Sequence, residues 1–329
     1  MTPSTVAAPA RKGGTGLLAD LLGTAIVAGV GLACYVLFPT NLSFLTGLIA
    51  LALLALSLDL VTGYGGVATL GHAALFGAGA YGAGIAAVHF GVADPLLLLL
   101  IGALAGALAG FVSGAVILRT HGLPQLVLSI AIVQLSVQIA NQASAWTGGS
   151  DGLYGIDPAP LFGVFRFDLF GKTAFLLGLA VLVVVMFALR RLVRSPFGLL
   201  VRGIRQDPVR VAALGARVYP ALLKLYVVSG LVAGLGGALA AVSTRVVGFD
   251  SLSFESSAEA LVMVVLGGVG TLWGALVGTF VFLWFEHVVS AANPFHWLIL
   301  VGLLLILVVL FAPKGLYGSL AHWAMGRRP

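Results

Sequence analysis

The chain has 329 residues, of which 60% are hydrophobic and only 9% are charged, and its mean hydropathy is +1.13. Because an ordinary soluble domain carries about 25% charged residues, this composition excludes a water-soluble surface. Apolar runs such as 96–110 do not alternate with polar residues, which excludes an outer-membrane β-barrel. The sequence therefore predicts an all-α, polytopic transmembrane helical bundle. For such a protein the net charge of +6 raises the question of which side of the membrane the basic residues occupy.

The first 16 residues are polar and include Arg11 and Lys12. They lead into an apolar segment without an obvious small-residue cleavage site, so we expect a cytoplasmic tail at 1–16 before a retained helix, not a removed signal peptide. Cys34 is the single cysteine, and none of the six histidines has the paired spacing of a zinc site. No disulfide framework and no metal site is predicted within the chain.

Ten apolar stretches follow one another, and a spanning helix needs about 20 such residues. The stretch at 258–269 is too short to cross alone and precedes a Gly-rich run, which predicts a broken segment close to the functional interior. We therefore expect about ten membrane segments within a transmembrane region at 17–316. They lie at 17–38, 42–60, 68–90, 96–118, 123–143, 173–189, 221–244, 258–269, 272–291 and 296–312.

The basic residues are distributed unequally between alternate loops. With the N-terminus inside and 258–269 counted as one pass, 14 of the 17 Lys and Arg residues fall on the inner side, and only Arg166, Lys172 and Arg245 fall outside. Since Lys and Arg are retained on the cytoplasmic side, both termini are predicted to be cytoplasmic, with a C-terminal tail at 317–329. The positive charge is then an orientation signal, and no nucleic-acid partner is predicted.

Two loops stand out between the spans. The outer loop at 144–171 is rich in Gly, Asp and Pro, which predicts turns and not a further span. The inner loop at 190–224 holds eight basic residues, and Ser195-Pro196 and Asp207-Pro208 each place a capping side chain before a proline suited to the first helical position. Two short helices are predicted to begin there, the second ending at Gly215.

A short repeat occurs at the two Gly-rich breaks. GGVATL at 65–70 and GGVGTL at 267–272 match at five of six positions. Such echoes are typical of transporters built from duplicated halves, with the substrate path at the repeat interface, although two Gly-rich turns can also match by chance. The orientation predicted from the charges places both breaks on the same side. The glycines of the breaks are Gly65, Gly66, Gly267, Gly268 and Gly270.

Two motifs resemble nucleotide-binding signatures but lack the necessary context. Gly77, Gly79 and Gly82 spell GxGxxG inside a predicted membrane span, where glycines serve close helix packing instead of a βαβ unit. Gly171-Lys172-Thr173 resembles the end of a phosphate-binding loop, but Arg166 stands where the earlier glycine is required. Neither motif predicts ATP binding by this chain.

Three ionisable side chains near the breaks require an explanation, because a charged group at the bilayer centre costs roughly 2.5–3.5 kcal/mol on insertion scales. Asp59 and Glu259 precede the two Gly motifs. They either belong to a transport path or are close enough to the interface to be hydrated and paired. His72 follows the first break and either lines the path or packs between helices.

The fifth span carries a set of polar residues that we interpret as one stripe. Gln134, Gln138 and Gln142 recur at a helical spacing of four, and Asn141 lies beside them. The stripe either lines a path or forms hydrogen bonds between helices, since unpaired amides in hydrocarbon are costly. Amides suit a neutral or zwitterionic solute better than a proton relay or a metal ion. The full set is Gln125, Ser129, Gln134, Gln138, Asn141 and Gln142.

Five segments give the chain a family resemblance, namely 63–84, 141–156, 194–218, 259–278 and 312–318. In their order and residues they resemble the LivM-type permease subunit of branched-chain amino acid ABC importers, a family that includes relatives for urea, short amides and other small organic solutes. The resemblance implies the ABC-importer permease fold in a bacterial inner membrane. It also implies a second, LivH-like permease, two ATPase subunits that use ATP and Mg²⁺, and a periplasmic solute-binding protein.

The resemblance also assigns roles within the chain, which would itself hold no cofactor and perform no catalysis. The alanine-glycine core of the inner loop resembles the importer loop that inserts into an ATPase groove. The coupling residues implied are Asp207, Val211, Ala212, Ala213, Leu214 and Gly215. The substrate path is expected from Asp59, Val67, Thr69, His72, Ser129, Gln134, Gln138, Glu259 and Met263.

Three departures from the family pattern concern the solute. The family commonly has Gln at the position of Val67, an aromatic residue at Pro124 and Glu at Gln134. A less polar or differently charged solute than a branched-chain amino acid therefore remains open. Two other functions also remain open: a stand-alone secondary transporter or channel in which Asp59 or Glu259 carries the coupling ion, and an intramembrane enzyme with His72 or Glu259 as base.

Overall fold

The computed structural model describes residues 13–161, 165, 167, 171–292, 299, 302–303, 306, 310 and 315–324. Within these residues the chain is predominantly helical, as predicted. The helices are α1 Gly13–Leu37, α2 Leu42–Leu58, α3 His72–Phe90, α4 Pro95–Ile117, α5 Leu123–Gln142, α6 Ser144–Thr147, α7 Lys172–Arg194, α8 Pro196–Gln206, α9 Pro208–Ala213, α10 Val218–Thr244, α11 Phe254–Gly267, α12 Leu272–Ala292 and α13 Gly315–Ala324.

Eight helical segments in the described part of the chain are long and apolar enough to cross a membrane, which confirms the polytopic fold. They are α1, α3, α4, α5, α7, α10, α12, and α2 together with the π-helical turn Asp59–Tyr64 that continues it. Helix α11 has only 14 residues, so the broken segment is confirmed as too short to cross alone. The predicted segment 296–312 lies mostly outside the described residues, as do most of the two predicted tails; the described parts 13–16 and 317–324 are helical.

The bundle has two ends. At one end, strands Leu153–Tyr154 and Val246–Val247 pair antiparallel as β1 and β2, and we call this the sheet end. At the other end, α8 and α9 connect α7 to α10, and we call this the loop end. The small sheet was not predicted, because two-residue strands lie below the length at which alternation is visible in a sequence.

Close backbone contact joins α4 and α10 in the centre of the bundle. A Cβ atom on Gly106 would lie 2.6 Å from the Cα of Gly234, and one on Gly110 would lie 3.2 Å from the Cα of Gly230. Gly79 of the GxGxxG motif packs directly on Gly234, which confirms that this motif serves helix packing. Helices in lipid have no hydrophobic driving force for association, and small residues let their backbones pack closely instead.

The two short helices of the loop end begin at the predicted caps. Ser195 Oγ accepts a hydrogen bond from the Gly198 N–H at 3.3 Å, and Asp207 Oδ1 accepts one from the Arg210 N–H at 2.9 Å. Helix α9 ends at Ala213, and Gly215 follows with a φ of +89°. The flanking spans extend further into the loop than their apolar runs indicate, since α7 continues to Arg194 and α10 begins at Val218.

Candidate functional site

The two Gly-rich breaks lie against each other at the loop end. A Cβ on Gly63 would lie 2.7 Å from the Cα of Gly270, so the backbones meet directly. Gly66, Gly268 and Gly270 have φ values of +71°, +117° and +83°, a region that only glycine adopts without strain. Their contact confirms that both breaks lie on the same side.

Asp59 ties the two breaks together. It is fully buried at the start of the π-helical turn, and its Oδ1 accepts a hydrogen bond from the Gly270 N–H at 2.6 Å. Its second oxygen, Oδ2, has no hydrogen-bond partner among the described residues. Asp59 therefore holds the second break onto the first within this chain.

Helix α8 covers the joined breaks from the loop end. Arg205 Nη1 donates a hydrogen bond to the Gly63 carbonyl oxygen. The aliphatic part of the same side chain packs on Gly66, where a Cβ would lie 2.7 Å from Arg205 Cγ. One turn away, the Arg202 guanidinium lies 5.1 Å from the centre of the Tyr64 ring. Neither arginine was a candidate from the sequence, where both counted only as inner-side charges.

An extended segment at 65–71 leads from the first break into the middle of the bundle. The Leu70 N–H donates to Ser129 Oγ at 3.0 Å, and just after the segment the Ala73 N–H in the first turn of α3 donates to Ser257 Oγ at 2.9 Å, so the segment ends between α5 and α11. These side chains satisfy backbone groups at membrane depth, where no bulk water is available. Burial alternates along the segment, because Val67 and Thr69 are buried whereas Gly66 and Ala68 are exposed.

His72 begins α3 deep inside the bundle. Its Nε2 lies 2.8 Å from Ser229 Oγ, and that hydroxyl donates to the Ser57 carbonyl oxygen at 2.8 Å. The imidazole is fully buried and tilts against the Tyr226 ring at 5.6 Å. This arrangement connects α3, α10 and α2 and matches the packing alternative considered for His72.

The polar residues of α5 divide between two opposite faces. Gln125 and Ser129 are buried against the bundle. Gln134 and Gln138 are exposed, as are Asn141 and Gln142 near the sheet end. Ser129 and Gln138 are nine residues apart, which at 100° per residue places them on opposite sides of the helix. The interpretation as one stripe is therefore wrong: one polar set supports the extended segment and the other faces away from the bundle.

The nine predicted path residues do not share one surface of this chain. Met263 is fully buried in α11, and Glu259 of the same helix is half-buried. The cavities among the described residues include one of about 650 Å³ at the sheet end, one of 550 Å³ between α3, α4 and α5, and one of 370 Å³ between α1, α2, α7 and α12. None of the nine residues lines any of these three cavities.

Helix α9 presents apolar side chains at the surface of the loop end. Val209 is 77% exposed and Leu214, which follows the helix, is 82% exposed. None of the residues of α9 is buried. Of the predicted coupling residues, Asp207 caps α9 and its carboxylate also pairs with Arg210 at 3.5 Å. These two contacts fix the first turn of α9.

A buried ion pair between α1 and α7 was missed from the sequence. The Asp20 carboxylate lies 3.1 Å from Arg190 Nε and 2.7 Å from Arg194 Nη1. Two signals were present: an acidic residue inside the first apolar run, and two arginines four residues apart on one helical face. The pair explains why α7 continues past its apolar run to Arg194.

Comparison with known proteins places the chain in a family. The model of the family described as "Branched-chain amino acid transport system / permease component" matches residues 40–309. The high-affinity branched-chain amino acid transport system permease protein LivM of Escherichia coli K12 is 27% identical over 285 residues, covering 80% of this chain and 67% of that protein. LivM of Salmonella typhimurium LT2 gives the same identity and coverage. No solved structure matches significantly.

The match extends from the start of α2 to beyond α12 and includes both breaks, the extended segment and the loop end. The chain is thus a multi-pass membrane protein, and it belongs to the family of permease components of branched-chain amino acid transport systems.

Proposed function

We propose that this chain is a permease subunit of an ABC importer for a small zwitterionic or neutral solute, most simply a branched-chain amino acid. It forms the membrane path together with a second, LivH-like permease. Two separate ATPase subunits drive uptake, and a periplasmic binding protein delivers the solute. The observation that carries the proposal is the position of α8, which connects the exposed surface of α9 to both Gly-rich breaks.

The loop end supports the docking of an ATPase. Val209 and Leu214 are large, exposed apolar side chains outside the spanning helices, and such groups favour burial in a partner's groove. The caps at Ser195 and Asp207 fix the two short helices, so a force on α9 reaches α8 without first unwinding the loop. In this proposal ATP and Mg²⁺ bind to the partner subunits, and the loop end faces the cytoplasm together with both termini.

The outward face of α5 supports a path between two permeases. Gln134 and Gln138 are exposed on this chain, and an amide in contact with lipid would leave its donors and acceptors unpaired. A second permease facing this surface would enclose the amides beside the solute. Amides can bind both the carboxylate and the ammonium group of an amino acid. An amino acid as solute also agrees with the two relatives, which are both named as branched-chain amino acid permeases.

Reconstitution tests this function. The tagged chain is purified from its native membranes, and the co-purifying proteins are identified and reconstituted with it into proteoliposomes. We expect an ATPase and a second permease, and uptake of radiolabelled leucine that requires both ATP and the binding protein. Leucine flux by this chain alone, driven by a proton gradient and abolished by Asp59→Asn, would instead establish the secondary transporter.

A further inference from the structure

We propose that Arg205 is a positioning residue that transmits the movement of α8 to both Gly-rich breaks at once. We use the name clasp for Arg205, Gly63, Asp59 and Gly270. The clasp itself follows from contacts within this chain, whereas its role in transport rests on the proposed function.

The contacts of the clasp connect three parts of the chain that are distant in sequence. Arg205 of α8 donates to the carbonyl oxygen of Gly63 in the π-helical turn. Asp59, four residues earlier in that turn, accepts from the N–H of Gly270 in the second break. A Cβ on Gly270 would lie 3.0 Å from Arg205 Nη1, so the guanidinium also lies against the second break. One side chain therefore contacts both breaks.

The other basic residues of the loop end differ in their surroundings. Arg210 pairs with Asp207 at the start of its own helix and is mostly exposed. Arg202 lies over the Tyr64 ring, whereas Arg205 donates to a backbone carbonyl oxygen of the same turn. A guanidinium is suited to the position of Arg205 because its planar fork offers several donors at once, with its stem packed on Gly66.

The backbone of the two breaks depends on the hydrogen bond from Arg205 to the Gly63 carbonyl oxygen. Residues 65–71 and 268–271 are not helical, so their polar groups rely on side chains and neighbouring segments. When α8 moves, Arg205 leaves Gly63, and a carbonyl group of the turn loses its donor. Since Asp59 belongs to the same turn and holds Gly270, the second break is released together with the first. A movement of α9 imposed by the ATPase thereby alters the segment that leads to Ser129 and His72.

Hydrogen–deuterium exchange on the purified chain tests the clasp without reference to transport. In Arg205→Ala we expect the amides of both 65–71 and 268–271 to exchange at least tenfold faster than in the wild type. Arg205→Lys keeps a cation with donors and should stay within about threefold of the wild type. Arg119→Ala, at an exposed arginine in the α4–α5 loop, is the matched control and should change neither segment. Unchanged exchange in Arg205→Ala, or faster exchange in only one break, would overturn the clasp.

The transmission role is tested in the complex reconstituted with its ATPase and second permease. Arg205→Ala should lower ATP-dependent leucine uptake at least tenfold while ATP hydrolysis stays within twofold, and Arg205→Lys should restore much of the uptake. A merely structural residue would lower uptake and hydrolysis in parallel, and that result would overturn the transmission role. If the wild-type complex shows no ATP-dependent uptake, the proposed function fails and transmission fails with it, whereas the exchange experiment still decides whether the clasp exists.

Discussion

Replacing Gly106 by alanine should destabilise the bundle, although alanine is the better helix former. Gly106 lies in the contact between α4 and α10, and its added Cβ would stand 2.6 Å from the Cα and 2.9 Å from the N of Gly234. It would also touch the Gly230 carbonyl oxygen. All of these atoms belong to the backbone, so no side chain can rotate away.

The size of the effect follows from two opposing contributions. Ordinary carbon–carbon contacts lie at about 3.5–4.0 Å, so α4 and α10 must separate by about 1 Å. Overpacking of a close interface costs about 1–3 kcal/mol, and because only rigid backbone is available here we expect about 2–3 kcal/mol. Alanine regains about 1 kcal/mol through its helix propensity. The net loss in the free energy of unfolding is then about 1–2 kcal/mol.

The matched control is Gly29→Ala in α1. Gly29 is an exposed helical glycine, and a Cβ on it would have no neighbour within 4 Å. This variant should gain about 0.5–1 kcal/mol, so the same substitution is expected to have opposite signs at the two positions. Thermal unfolding in detergent, followed by the monodisperse fraction, compares both with the wild type. If Gly106→Ala proves as stable as Gly29→Ala, the backbone contact between α4 and α10 does not exist as described.

Three further variants test other parts of the molecule. Asp20→Asn removes the charge that binds Arg190 and Arg194 and should lower the free energy of unfolding by about 1.5–3 kcal/mol, measured by the same thermal assay; an unchanged midpoint would show that the pair adds nothing. Leu214→Asp should prevent co-purification of the ATPase without changing the unfolding of the isolated chain, and retained binding would remove α9 from the docking surface. The double variant Gln134→Leu, Gln138→Leu should leave the isolated chain folded but lower leucine uptake by the complex at least tenfold, and normal uptake would exclude the outward face of α5 from the path.

Features that depend on neighbouring residues were predictable from the sequence. The apolar runs predicted the eight described spans because burial in lipid requires about 20 consecutive apolar residues. The starts of α8 and α9 were predictable because Ser or Asp followed by Pro satisfies the first helical N–H groups locally. The division of the α5 polar residues was also accessible from the angle between Ser129 and Gln138, but which face lies against the bundle was not.

Features that depend on distant residues were not predictable. Asp59 and Gly270 are 211 positions apart, and no local pattern states that a carboxyl oxygen will meet that backbone N–H. Arg205 is one of eight basic residues at 190–224, and neither charge nor spacing distinguishes it from the others. The path residues were chosen for polarity in apolar surroundings, and that criterion also selects side chains such as His72 whose hydrogen bonds lie within the core.

The two polar systems at membrane depth differ in a way that bears on assembly. The hydrogen bonds of Ser129 Oγ, Ser257 Oγ and His72 Nε2 lie inside the chain, so this system stabilises the chain whether or not a partner is bound. The amides of Gln134 and Gln138 face outward, and a neutral polar group without partners in an apolar medium costs about 2–7 kcal/mol depending on the reference state. The outward face of α5 is therefore the less favourable surface to leave in lipid, and its burial against a second polar surface would recover that cost. The exposed amides thus supply a driving force for pairing at the same face on which the solute is proposed to pass.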